Sequence, residues 1–157
     1  MKRHFVFFGM IVLVFAALGS AWAENDPRIG TWKLNVSKSN SSNGTLAASE
    51  TRTYAAEGSK IMSTSEGVDA KGKPISSHYE VTADGKEYPM NAANPSAAIS
   101  IKQTGPGAYA GTLKRDGKVV STNVAVISGG GKVFTIKSKG TDAQGQAFTS
   151  TAVFEKQ

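Results

Sequence analysis

The stretch Ile75-Ser-Ser-His-Tyr-Glu-Val-Thr-Ala-Asp-Gly85 decides the fold class. Ile75, Ser77, Tyr79 and Val81 fall on one side of an extended chain. Ser76, His78, Glu80 and Thr82 fall on the other. Alternation with period two marks a strand with one buried and one wet face. The Asp-Gly pair that follows accepts the positive φ angles of a tight turn at little cost. The same pattern recurs on both sides. Gly30, Trp32, Leu34 and Val36 alternate with Thr31, Lys33 and Asn35. Ile99 and Ile101 share a face, as do Tyr109, Gly111 and Leu113; so do Val120, Val124 and Val126, Phe134 and Ile136, and Phe148, Ala152 and Phe154. After residue 23 no window keeps the i, i+3, i+4, i+7 stripe of an amphipathic helix.

The alternation predicts strands over roughly 29–36, 50–57, 60–68, 74–82, 86–90, 97–104, 108–115, 118–128, 132–139 and 146–155. Glu57-Gly-Ser-Lys60, Asp84-Gly85, Asp116-Gly117, Gly129-Gly-Gly-Lys132 and Asp142-Ala-Gln-Gly145 separate them. Links this short make consecutive strands antiparallel neighbours. Pro89 marks the short fifth strand as an edge or a bend. A twisted meander of this length closes on itself or folds into two layers, and closure removes exposed edges. The expected fold is therefore all-β, an antiparallel up-and-down meander closed into a barrel of eight to ten strands. The Ser/Asn/Gly-rich segment 37–49 is expected to be a mobile polar loop. Its Asn-x-Ser/Thr triplets at Asn35, Asn40 and Asn43 arise by chance in such a composition. Lys60-Ile-Met-Ser63 with Gly67-Val-Asp-Ala-Lys-Gly-Lys73 is echoed by Lys132-Val-Phe-Thr135 with Gly140-Thr-Asp-Ala-Gln-Gly-Gln146. The second copy has one extra residue before its glycine, where a β-bulge is expected.

Lys2 and Arg3 precede an apolar run from Phe5 to Leu18, and Ala21-Trp22-Ala23 is a small-x-small exit. This is the layout of a secretory signal cleaved after Ala23. The rival is a retained anchor, but 14 residues rise only about 21 Å as a helix, against a hydrocarbon core of roughly 30 Å. The expected organisation is a signal over 1–23 and one domain over 24–157, secreted or periplasmic, with no stable membrane insertion after cleavage. The full chain of 157 residues has 18 Lys+Arg against 12 Asp+Glu. Without Lys2 and Arg3 the excess is a mild +4, too diffuse for nucleic-acid binding. Lys114, Arg115 and Lys118, and Lys137 with Lys139, lack the interleaved aromatics of a nucleic-acid platform. No cysteine is present, which excludes disulfides, zinc-thiolate sites and a Cys nucleophile.

Little in the chain carries catalytic chemistry. His78 is the lone histidine after residue 23 and falls on the polar face of its strand. Asp69 and Asp142 sit in turns that offer one carboxylate each, where calcium needs six to eight oxygens. Gly129-Gly130-Gly131-Lys132 lacks the spacing of a phosphate-binding loop. No catalytic residue, metal or cofactor is expected, and the inward faces named above carry no ionisable group beyond tyrosine.

Gly30-Thr31-Trp32-Lys33-Leu34 resembles the Gly-x-Trp first-strand signature of the calycin superfamily, which includes the lipocalins and the fatty-acid-binding proteins. Thr151-Ala-Val-Phe-Glu-Lys156 resembles the last strand of the fatty-acid-binding proteins. The chain also looks like small exported bacterial proteins of lipocalin-like type whose role is not established. The resemblance implies a barrel closed at one end by Gly30 and Trp32. It carries over no binding residue. Fatty-acid-binding proteins have Arg-x-Tyr in the last strand, whereas Ala152 and Phe154 stand here, and the two-helix lid has no counterpart. The expected function is binding of a small hydrophobic molecule inside the barrel, with Tyr79, Ile101, Tyr109, Leu113, Phe134 and Phe148 as lining candidates. The alternative is a non-catalytic structural or interaction module of the cell envelope with a filled barrel and an unknown protein partner.

Overall fold

The computed structural model describes residues 25–90 and 96–157. The signal expected over 1–23 lies outside them. The strands are β1 (Gly30–Leu34), β2 (Asn40–Ser41), β3 (Ser49–Glu57), β4 (Lys60–Val68), β5 (Pro74–Val81), β6 (Asp84–Pro89), β7 (Ala97–Gly105), β8 (Ala108–Arg115), β9 (Lys118–Ser128), β10 (Val133–Thr141) and β11 (Ala147–Lys156). Ten of them run in the order β5-β4-β3-β1-β11-β10-β9-β8-β7-β6, and the two-residue β2 pairs with β11. The molecule is a nearly closed antiparallel meander barrel.

Closure fails between β5 and β6, the two ends of the path. Their short link predicts a paired hairpin, but no ladder forms. Ala83 instead gives its carbonyl to the Gln103 N–H on β7 (3.2 Å). Side chains fill the slit: Tyr79 and Val81 on β5 pack with Ile99 on β7, flanked by Tyr88 and Met90. β6, with Pro89, is an edge strand paired only with β7.

The core gathers at one end. Trp32, Leu34, Tyr54, Ile61, Tyr109, Ala125, Phe134 and Phe154 form one buried cluster. The Trp32 and Phe134 rings lie 5.3 Å apart, and Tyr54 meets Phe134 edge-on at 6.0 Å. Gly30 enters this end with φ +124°, and a Cβ there would lie 2.7 Å from Lys156 Cε. β1 stops at Leu34; Val36, expected to share its inner face, instead opens a 3-10 turn over Val36–Lys38 and is exposed. Asn35 caps that turn through its side-chain oxygen, while its amide donates to Glu155 (3.0 Å). Ser39 and Ser42 carry the polar segment along β11 through bonds to the N–H groups of Val153 and Thr149.

On β9 the expected inner face is corrected. Val124 is 55% and Val126 48% exposed, while Ala125 between them is only 5% exposed. The register explains this. Leu113 pairs with Ser121 but Lys114 pairs with Val119, so Val120 is an extra residue that reverses the alternation. Ala125 stands opposite Tyr109 and Ile136, two larger inward residues. Ala125→Leu is therefore expected to cost about 1–3 kcal/mol by overpacking. Val126→Thr should stay within about 0.5 kcal/mol. Urea unfolding of both variants checks the assignment.

The echoed turns coincide in hydrogen bonding. Asp69 Oδ1 accepts from the N–H groups of Lys71 and Lys73, and Asp142 Oδ1 from those of Gln144 and Gln146. Both carboxyls are held below the usual range, chiefly by those backbone donors. The expected bulge in the second copy is absent: β10 pairs without a break with β11 and β9. The extra residue instead reverses the faces, so Ile61 is buried while its counterpart Val133 alternates with the buried Phe134.

Candidate ligand site within the barrel

The closed end is built around a buried ion pair that the sequence reading missed. Arg28, just before β1, is 2% exposed. Its Nε and Nη2 donate to Asp26 Oδ1 (3.0 Å) and Oδ2 (2.7 Å), a bidentate pair. The Arg28 backbone N–H and the Tyr109 hydroxyl donate to Asp26 Oδ1 as well (2.9 and 3.1 Å). The Arg28 carbonyl accepts from the Trp32 indole N–H (2.6 Å), and its guanidinium lies 4.2 Å from the centre of the Tyr109 ring. Burial alone pushes the Asp26 carboxyl up; Arg28 outweighs it and holds the group below its ordinary value. Burial, with the adjacent Asp26 charge, pushes the Tyr109 phenol up to about 12.

A second cation faces the interior from β3. Glu50, Arg52 and Tyr54 share the inward side, with Thr51 and Thr53 outward and exposed. Arg52 gives its Nε to Glu50 Oε1, and its guanidinium lies 4.7 Å from the centre of the Phe154 ring. The Arg52 side chain is 27% exposed, that of Glu50 11%. Among the described residues no protein acceptor engages the terminal nitrogens of Arg52. The expectation that the inward faces carry no ionisable group beyond tyrosine is therefore corrected. Arg52-Thr53-Tyr54 is an Arg-x-Tyr on β3, and its cation stacks on Phe154, the residue at the tyrosine position of the last-strand motif.

Two hollows flank the middle of the barrel. An inner chamber of about 90 Å³ is lined by Arg28, Arg52, Tyr79, Ile101, Tyr109 and Phe134, among others. A mouth of about 580 Å³ is lined by Leu113, Val120, Ser121 and Phe148, with Arg115, Asp116, Lys118 and Asp142 at its rim. The structure thus brings four of the six lining candidates together (Tyr79, Ile101, Tyr109 and Phe134) and sets Leu113 and Phe148 apart at the mouth. The inner chamber alone is below the roughly 300 Å³ of ordinary small-molecule pockets. A furrow of about 310 Å³ between Lys137 and Lys139, beside Thr122 and the exposed Val124, runs along the outer face. His78 is exposed, its Nδ1 3.3 Å from the Thr64 hydroxyl. Among the described residues no cluster of His, Asp and Glu could hold a metal ion, and no helix is long and apolar enough to cross a membrane.

A meandering ten-strand barrel with this first strand and a polar, partly open interior is a calycin-like fold. Comparison with solved structures finds the same architecture. The chain is similar to the zebrafish ileal bile acid-binding protein complexed with cholic acid, with a TM-score of 0.51 at 15% identity over 83% of this chain and 99% of that one. It is equally similar to As-p18, an extracellular fatty acid binding protein, with a TM-score of 0.52 at 14% identity over 84% of this chain and 97% of that one. No sequence-family profile and no curated protein sequence matches the chain.

Proposed function

We propose that this chain is an exported, non-enzymatic carrier whose barrel binds a small, largely apolar molecule bearing an anionic group. One observation carries the reading. Arg52 presents terminal guanidinium nitrogens, without a protein acceptor among the described residues, at a chamber walled by rings and aliphatic side chains together with Asn123 and the Asp26-paired Arg28. A guanidinium that meets Glu50 through Nε alone keeps its terminal N–H groups for an anion of matching geometry. The chamber's volume suits a head group, and the larger mouth, with Leu113 and Phe148, suits the body of the molecule. Tyr79, Ile101, Tyr109 and Phe134 then wall the head group, while Gly30 and Trp32 seal the far end. Solved structures with the same fold include one complexed with cholic acid and an extracellular fatty acid binding protein, which supports this ligand class. A signal over 1–23 would deliver the domain over 24–157 to the periplasm or outside the cell.

Native mass spectrometry of protein purified from its own host tests the reading, expected to show a retained small acid. Titration with an anionic naphthalene-sulfonate fluorophore is expected to give saturable uptake. Absence of both overturns the proposal. The tight packing of Trp32, Phe134 and Tyr54 favours one alternative, a filled structural module of the cell envelope acting through its outer surface. That alternative predicts no uptake and no retained molecule.

A further inference from the structure

From Asn123, at the edge of the inner chamber, toward the mouth, the inward face is hydrogen-bonding rather than apolar. Ser65 on β4 and Ser77 on β5 are register partners, their hydroxyl oxygens 2.8 Å apart. On the opposite wall Ser138 of β10 pairs with Asn123 of β9 on one side and Ser150 of β11 on the other. Each of these positions is in phase with a buried core residue of its own strand: Ser138 with Phe134, Asn123 with Ala125, Ser150 with Phe154. Gly111, the register partner of Asn123, makes room for the amide, since a Cβ there would lie 2.7 Å from Asn123 Oδ1. All five polar side chains are half-buried. Those of Asn123, Ser138 and Ser150 make no hydrogen bond to another described residue, and none holds a buried polar atom without a partner, so their polar groups are open to solvent.

We propose that the ligand's body carries hydroxyl or comparable hydrogen-bonding groups, and that the lumen selects it over an unsubstituted hydrocarbon chain of equal length. The inference rests on the ligand-binding reading above and specifies its ligand class. Ser150 stands four residue steps along β11 from Phe154, on which Arg52 stacks, roughly 13 Å at about 3.3 Å per step. A molecule anchored at Arg52 and reaching the mouth passes the hydroxyls part-way along its length. A plain chain would strip water from Asn123, Ser138 and Ser150 without replacing its hydrogen bonds. A hydroxylated chain replaces them, and sites built to pair a substrate hydroxyl discriminate strongly against analogues that lack it.

The experiment compares stearate with its vicinal dihydroxy derivative, both titrated into the mature protein by isothermal calorimetry. The dihydroxy acid is expected to bind tenfold or more tighter. In the double variant Ser138→Ala/Ser150→Ala the preference is expected to shrink to threefold or less, and Ser138→Thr/Ser150→Thr, which keeps both hydroxyls, is expected to retain part of it. Unchanged Trp32 emission and circular dichroism show that each variant folds. Equal affinity, or a preference for stearate, in the wild-type protein overturns the selectivity while leaving a ligand-binding barrel in place. A preference that survives intact in the Ala double variant overturns the assignment to these hydroxyls. Binding of neither acid, together with no dye uptake, removes the ligand-binding reading itself and this inference with it.

Discussion

Asp26→Asn lowers the unfolding free energy by about 3–5 kcal/mol, the range expected when one partner of a buried ion pair is removed. The substitution preserves shape but strips the charge from the group that four hydrogen bonds address. Arg28, almost wholly enclosed, is left without its counter-charge. The loss spreads because the Arg28 carbonyl also holds the Trp32 indole. A thermal melt followed by Trp32 emission should show a midpoint lower by roughly 10 °C. The double variant Asp26→Ala/Arg28→Met should recover much of the loss, because no unpaired charge remains. The pH dependence has a definite sign. The folded-state pKa of Asp26 is depressed, so its contribution is present above the ordinary carboxylate pKa of about 4 and is lost as pH falls through the lower folded value. The gap between wild type and Asp26→Asn therefore narrows on acidification. A gap independent of pH would show that the pair does not act through charge.

Arg52→Gln weakens binding of an anionic amphiphile about a hundredfold, which is about 2.7 kcal/mol. The alcohol with the same tail should lose less than threefold, because it never used the charge. That split separates loss of a head-group partner from general damage to the lumen. Arg52→Lys restores little of the affinity. An ammonium offers neither the planar fork for a carboxylate nor the flat face that stacks on Phe154. Equal losses for the acid and the alcohol would mean that Arg52 only shapes the chamber. The measurement needs the two ligands, the two variants and a competition assay with the anionic dye.

Most of the barrel was legible because its large residues fall in phase. Trp32 with Leu34, Tyr79 with Val81, and Tyr109 beside the small Gly111 announce their inward faces without ambiguity. β9 does not, because three valines at 120, 124 and 126 compete with Ser121, Asn123 and Ala125. Size suggests the valines inward, whereas the register beyond a one-residue bulge places the small residues there. The slit was hidden by turn chemistry: Asp84-Gly85 describes how the chain reverses, not whether the flanking strands pair. Charge concealed the site. A strand Arg is ordinarily read as outward, and Arg28 lies outside any alternating run, so no phase assigned it. The signal for Arg52 was present in Glu50-Thr-Arg-Thr-Tyr54, where Tyr54 is the lone aromatic side chain and the threonines suit the wet face. Reading phase from the tyrosine would have turned both Glu50 and Arg52 inward.

The unpaired seam between β5 and β6 bears on how such a container changes capacity. Elsewhere around the wall any dilation must break backbone hydrogen bonds. At the seam the two margins are held by Tyr79, Val81, Tyr88 and Ile99, whose cohesion is non-directional and tolerates sliding. The circumference can therefore grow at that one line while every ladder stays intact, and the amides bordering it should be the first to exchange with deuterium.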